Sequence, residues 1–101
     1  MKVGTDTMVL GSSIDVSTKS YGLDVGSGTG VLSLMCVQQN SNLKIDAIEL
    51  DELASEECEY NFSKSNFSER LNCIHLDFLL FSSTKRYDLI ISNPPFHQTS
   101  M

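Results

Sequence analysis

The stretch LDVGSGTGVLSLM, Leu23 to Met35, decides the fold. Tyr21 to Val25 is a short strand candidate, and it runs directly into Gly26-Ser27-Gly28-Thr29-Gly30. Val31 to Gln39 follows as a helix, with Val31, Leu32, Leu34, Met35, Cys36 and Val37 apolar over two turns. A glycine loop that follows a strand and opens a helix is the setting of a nucleotide-binding turn. Glycine is required because the backbone must turn tightly and let a ligand approach it.

Working outward, Asn40, Ser41 and Asn42 end the helix, and Lys44 to Leu50 (KIDAIEL) reads as a second strand. Asp51 is the expected N-cap of a helix running to about Ser65, with Ala54, Cys58 and Phe62 on its buried face. Glu56, Glu57 and Glu59 form its solvated side. Leu71 to Leu76 is a third strand, and Tyr87 to Ser92 is a fourth, apolar enough to be buried on both faces. Between them, Asp77 to Arg86 is either an irregular crossover or one helical turn packed on the sheet. Strands alternating with helices predict an α/β fold: a Rossmann-like, doubly wound, mostly parallel sheet of about four strands. Met1 to Ser20 reads as a leading loop with a short helical or irregular segment.

The chain has 101 residues, enough for one domain with a modest core. Seven Lys+Arg against thirteen Asp+Glu give a net charge of −6. That argues against nucleic-acid or membrane-surface binding through bulk charge, without excluding a specific RNA. No apolar run is long enough to span a membrane, and Met1 to Leu10 lacks the pattern of a signal peptide. Cys36, Cys58 and Cys73 form no CxxC and no metal-ligand set, so buried thiols in a reducing cytoplasm and no metal are expected.

Two groups of residues carry the chemistry. Glu49 stands at the end of the second strand, nineteen residues after Gly30, where a carboxylate can accept from the hydroxyls of an adenosine ribose. The loop is D-x-G-x-G-x-G, with Asp24 leading it. A carboxylate there repels a dianionic pyrophosphate and suits a cationic or zwitterionic ligand. S-adenosylmethionine, with its sulfonium, α-ammonium and adenosine, fits. The second group is Asn93-Pro94-Pro95-Phe96, directly after the fourth strand and so at the carboxyl end of the sheet. The Asn93 side-chain carbonyl and the Pro94 backbone carbonyl can both accept from one planar amine, and Phe96 offers a ring for stacking a base. His75 is expected to be structural, His97 could touch substrate, and the adjacent Lys85 and Arg86 read as solvated surface.

D-x-G-x-G-x-G with Asn-Pro-Pro-aromatic resembles the class I S-adenosylmethionine-dependent methyltransferases that modify planar amino groups. Met1 to Asp6, Leu23 to Met35, Asp46 to Ala54, Ser68 to Asn72 and Tyr87 to Phe96 are similar to the bacterial adenine N6-methyltransferases that act in the anticodon loop of a valine tRNA. The resemblance implies that Asp24, Gly26, Ser27, Gly28 and Gly30 line the methionine end of the cofactor. It implies that Glu49 holds the ribose, Leu50 packs on the adenine, and Asp77 bonds the adenine amino group with Phe78 beside it. Thr5 and Asp6 would close over the methionine carboxylate and amine, and Asn93 to Phe96 would hold the target base. The partner implied is a tRNA, and the compartment the cytoplasm.

Two positions depart from the family pattern: Thr7 stands where the family has Gly, and Phe96 where it usually has Tyr. Asn93 to His97 also resembles ribosomal RNA guanine N2-methyltransferases, and a protein glutamine amide is a third planar target. The family's chains are more than twice this length. Residues 1–101 are therefore expected to be a partial methyltransferase domain, the cofactor-binding half plus Asn93–Phe96, with the fourth strand as an apolar edge. A non-catalytic cofactor-binding module is the other class of function consistent with that.

Overall fold

The computed structural model describes residues 15–92. Thr5, Asp6, Thr7, Asn93, Pro94, Pro95, Phe96 and His97 lie outside the described residues. Four strands, β1 (Tyr21–Val25), β2 (Lys44–Glu49), β3 (Leu71–His75) and β4 (Leu89–Ser92), form one sheet in the order β3-β2-β1-β4. Every pairing is parallel. Helix α1 (Val31–Gln39) connects β1 to β2, and α2 (Glu52–Lys64) connects β2 to β3. The crossover before β4 holds a single 3-10 turn, Phe78–Leu80.

Both helices pack on one face of the sheet. Side chains alternate along a strand, so Ile45 and Ala47 share a face of β2. Ile45 clusters with Cys36 and Val37 of α1 and with Leu89 and Ile91 of β4. Ala47 clusters with Cys58 and Phe62 of α2. The Asp51 carboxylate caps α2 by accepting from the Ala54 amide at 2.8 Å, as its position before the apolar face predicts. The buried face of α2 is Ser55, Cys58 and Phe62, so Ser55 replaces the expected Ala54 as the fully covered member. Arg70 closes the far end of α1, its guanidinium donating to the carbonyls of Asn40 and Leu43 at 2.8 and 2.9 Å.

The opposite face carries Leu23 and Asp46, paired across β1 and β2. Among the described residues no helix covers it; the segment between β3 and β4 does. Asp46 is buried, and its Oδ2 accepts from Lys85 Nζ at 3.1 Å and from the Tyr87 hydroxyl at 2.7 Å. The Lys85 ammonium also lies 5.0 Å from the centroid of Tyr21. This corrects the reading of Lys85 as plain solvated surface: it neutralises a carboxylate set into the sheet. It also shortens the fourth strand. Tyr87 is turned to Asp46, the Asp88 carboxylate accepts from the Ser20 and Tyr21 amides, and pairing begins at Leu89. Burial on β4 alternates, Leu89 and Ile91 being buried under the helices while Ile90 and Ser92 are half-buried, so the expectation of two covered faces does not hold. β4 is one edge of the described sheet. All three cysteines are free, Cys36 and Cys58 buried and Cys73 half-buried.

Candidate functional site

Because all strands are parallel, their carboxyl ends share one edge, and the candidate residues gather there. Val25 ends β1 beside Ile48 of β2 and Ser92 of β4. The loop that leaves Val25 is held from two sides. From β2, the Ile48 carbonyl accepts from the Gly26 and Ser27 amides at 2.9 and 3.1 Å. The Glu49 Oε1 accepts from the Gly28 amide at 2.6 Å, while its Oε2 accepts from the Asp51 amide at 3.0 Å. From α2, the Asn61 side-chain amide donates to the Thr29 carbonyl at 2.9 Å, and the Cys58 thiol meets the Ser27 hydroxyl at 3.7 Å.

The three glycines have positive φ, 74° at Gly26, 59° at Gly28 and 89° at Gly30. Their surroundings differ. A Cβ at Gly30 would lie 2.6 Å from Phe62 Cε1 and 2.9 Å from Cys58 Sγ, so this glycine lets α1 start against α2. A Cβ at Gly26 or Gly28 would meet nothing within 4 Å. That open ground beside the backbone is where a ligand can approach the loop.

Asp24 is buried in β1 under α1. Its Oδ2 accepts from the Ser33 hydroxyl at 2.6 Å, and its Oδ1 has no partner. Burial raises its pKa to about 6, the Ser33 hydrogen bond opposing and the Glu49 charge adding to the shift. A buried carboxylate oxygen lacking a donor calls for one, supplied by a water or a cationic group.

Glu49 is half-buried at the end of β2, and Leu50 beyond it is 64% exposed. His75 fixes the Leu50 carbonyl through Nε2 at 3.0 Å, and the Leu76 amide donates to the Glu49 carbonyl at 3.0 Å. β2 and β3 thus deliver Leu50 and Asp77 to the same rim. Asp77 caps the 3-10 turn, its Oδ1 accepting from the Leu79 amide at 3.0 Å. The Phe78 ring stacks on Phe81 with centroids 6.2 Å apart, and Leu79 and Leu80 beside it are exposed. A cavity of about 390 Å³ opens next to this turn, lined among others by Leu23, Phe78, Phe81 and Lys85.

The structure therefore sets Gly26, Ser27, Gly28, Glu49, Leu50 and Asp77 at the carboxyl ends of neighbouring strands, with Glu49 on Gly28; Asp24 is buried within β1, Gly30 packs on α2, and Phe78 lines the cavity beside Leu23. Four residues that hold this rim carry no expected role in the site: Ser33, Cys58, Asn61 and His75. Cys58 is expected on the buried face of its helix and His75 as structural, and the bond of His75 to Leu50 agrees with that. Ser33 sits one turn into the helix that the glycine loop opens, which is a local signal; the reach of Cys58 and Asn61 to the loop spans some thirty residues and leaves none. Among the described residues no group of three or more His, Cys, Asp or Glu could hold a metal ion, and no helix is long and apolar enough to cross a membrane.

Comparison with known proteins points the same way. A tRNA1(Val) (adenine(37)-N6)-methyltransferase of Aliivibrio fischeri is 51% identical over 96 residues, covering 95% of this chain and 41% of the relative. One from a Flavobacteriaceae bacterium is 42% identical over 99 residues, covering 98% of this chain and 43% of the relative. The chain thus spans about two fifths of the length of these curated relatives. Among solved structures, the mitomycin 7-O-methyltransferase superposes with a TM-score of 0.74 at 18% identity, over 86% of this chain and 25% of that one, and so speaks for the fold alone. The sheet is accordingly a class I, Rossmann-like methyltransferase sheet. Residues 1–101 in their entirety match the profile of the methyltransferase small domain, and the chain belongs to that family.

Proposed function

We propose that residues 1–101 are the cofactor-binding part of an S-adenosylmethionine-dependent methyltransferase that modifies the exocyclic N6 amine of an adenine in tRNA, in the cytoplasm. The observation that supports the cofactor is the unpartnered Oδ1 of Asp24, two residues before a loop with open ground at Gly26 and Gly28. An α-ammonium, directly or through a water, supplies the donor that this carboxylate lacks, and its charge favours the ionised form that burial opposes. The relatives' names and the Asn93–Phe96 motif support the substrate reading.

In this reading Asp24, Gly26, Ser27, Gly28 and Gly30 take the methionine end, with Thr5 and Asp6 closing over it. Glu49 accepts from the ribose hydroxyls with the lone pairs that its two backbone amides leave free. Leu50 gives the adenine ring an apolar surface, and Asp77 and Phe78 take its amino edge. The bound cofactor supplies an electrophilic methyl group on a sulfonium. Asn93 and Pro94 accept both hydrogens of the target amine, which draws its lone pair out of conjugation, while Pro95 limits the backbone and Phe96 stacks the base. No metal and no general base is needed, because the methylated nitrogen loses its proton to water.

Calorimetric titration of S-adenosylmethionine into the full chain tests the cofactor, with Glu49→Ala as control. Binding that weakens by about tenfold or more in the variant is expected, since two charge-assisted acceptors are lost. A folded chain that does not bind overturns the assignment. Methyl-labelled cofactor incubated with tRNA, ribosomal RNA and protein fractions tests the substrate. Label in tRNA adenine is expected, and label confined to protein overturns the RNA reading.

A further inference from the structure

Two of the three thiols belong to one cluster between α2 and β3. Cys58 is fully buried with Ala47 and Phe62, and Cys73 packs against the same cluster from β3. Ser55, on the turn of α2 before Cys58, engages the Cys73 sulfur with its hydroxyl at 3.7 Å and accepts from that thiol with its carbonyl at 3.6 Å. Residues three apart on a helix share a face, so one turn of α2 presents both partners to Cys73. The two sulfurs differ in access. Cys73 lines an open cavity of about 180 Å³ with Glu59, Phe62 and Asn72, whereas Cys58 has no exposed surface. Cys58 instead faces the glycine loop: its sulfur contacts the Ser27 hydroxyl at 3.7 Å and would lie 2.9 Å from a Cβ at Gly30.

We propose that Cys73 and Cys58 form an oxidisable thiol pair, with Cys73 the attacked and Cys58 the resolving sulfur, and that their disulfide releases the glycine loop. Access favours this division: Cys73 opens on the cavity, whereas Cys58 is fully buried, and its contact with Cys73 together with burial hold its thiol protonated. The oxidant is a small hydroperoxide that reaches Cys73 through the cavity. The Cys73 thiolate attacks one peroxide oxygen; the S–O bond forms, the O–O bond breaks, and the departing hydroxide takes a proton to become water. Sulfur is oxidised by two electrons to a sulfenic acid. Cys58 then attacks that sulfur; the S–S bond forms, the S–O bond breaks, and the leaving hydroxide carries away the Cys58 proton as a second water. Turned toward β3, the Cys58 sulfur no longer meets Ser27 and leaves Gly30 packed on Phe62 alone. The effect on cofactor binding rests on the function proposed above; the thiol chemistry does not.

The test treats the full chain with stepwise hydrogen peroxide, blocks free thiols and maps peptides without reduction. A Cys58–Cys73 cross-link is expected, with Cys36 unoxidised. Amide exchange at Ser27 to Gly30, read without cofactor, is expected to rise about tenfold or more while the centres of β1 and β2 are unchanged. Dithiothreitol should reverse both effects. Cys73→Ser should abolish both, and Cys73→Ala serves if the serine variant misfolds. A Cys73 sulfinic acid without a cross-link overturns the proposal, as does a cross-link that leaves loop exchange untouched. In calorimetry the reduced chain should bind S-adenosylmethionine about tenfold or more tightly than the oxidised one. Failure of the reduced chain to bind would overturn the cofactor reading, and the thiol pair would stand or fall on cross-link and exchange.

Discussion

A methyl group added at Gly30 and one added at Gly28 meet different surroundings, although both residues lie in the left-handed region. At Gly30 it collides with Phe62 and Cys58, which are held by α2 and cannot both retreat. Gly30→Ala should therefore lower unfolding free energy by roughly 2–5 kcal/mol, the sum of overpacking and backbone strain. At Gly28 only the backbone strain of about 1–2 kcal/mol applies, while the added carbon enters the space left for a ligand. Gly28→Ala should keep most of the fold and lose S-adenosylmethionine affinity, so urea unfolding and calorimetry on the two variants separate packing from binding. Asp24 makes a different prediction, on pH. Its folded pKa, raised to about 6 by burial, exceeds the ordinary value of 3.8. The folded state then holds the proton more tightly than the unfolded one, so this group's contribution is fully present below about pH 4. It is lost as pH rises toward 6 and stays lost above. Asp24→Asn removes that dependence while keeping an acceptor for Ser33. The stability of the variant relative to the parent should rise by about 2–3 kcal/mol between pH 4 and 7. Parallel pH curves from urea unfolding would show that Asp24 is not the group responsible.

The turn between β2 and α2 joins the sheet, the loop and the helix through two carboxylates. Asp51 caps α2, and its own amide binds Glu49. Asp51→Ala should cost about 1 kcal/mol, as loss of an N-cap does, and leave cofactor affinity within a factor of a few. Glu49→Gln should do the reverse. The parent carboxylate accepts from the Gly28 and Asp51 amides at once; a glutamine must turn its NH₂ toward one of them, and donor then faces donor. We expect amide exchange to quicken at Gly28 and calorimetric affinity to fall about tenfold or more, with little change in melting temperature. A variant that binds normally would mean that the carboxylate is an anchor only. These elements were readable from sequence to different depths. The Gly-rich turn, the Asp51 cap and the period of Cys58 and Phe62 are local patterns, and the structure keeps them. Ser55 in place of Ala54 is a rotation of the helix that only packing against Cys73 decides. The grip of Asn61 on Thr29 and of Lys85 on Asp46 joins residues far apart in the chain, which no local pattern encodes. Glu49 was legible as a carboxylate at the end of a strand, but not as the anchor of Gly28.

At the scale of the molecule the two faces of the sheet and the charge set what this chain can do with a nucleic acid. The helix face is closed by α1 and α2, and the rim that carries the candidate site is acidic, with Asp24, Glu49, Asp51 and Asp77 close to the loop ends. The net charge is −6, and the cations are few. Lys85 is spent on Asp46, and Arg70 on backbone carbonyls at the end of α1. Affinity for RNA comes largely from neutralised phosphates, each adding to the salt dependence of binding. The chain of 101 residues should then bind cofactor but hold tRNA only in the non-specific range of roughly 10⁻⁴–10⁻⁶ M at physiological salt, or more weakly. Fluorescence anisotropy with labelled tRNA across a salt series measures this directly. Nanomolar binding with a shallow salt slope would overturn the argument. It would mean that Asn93–Phe96 and its neighbours recognise the RNA by base contacts alone, without an electrostatic surface to bring it in.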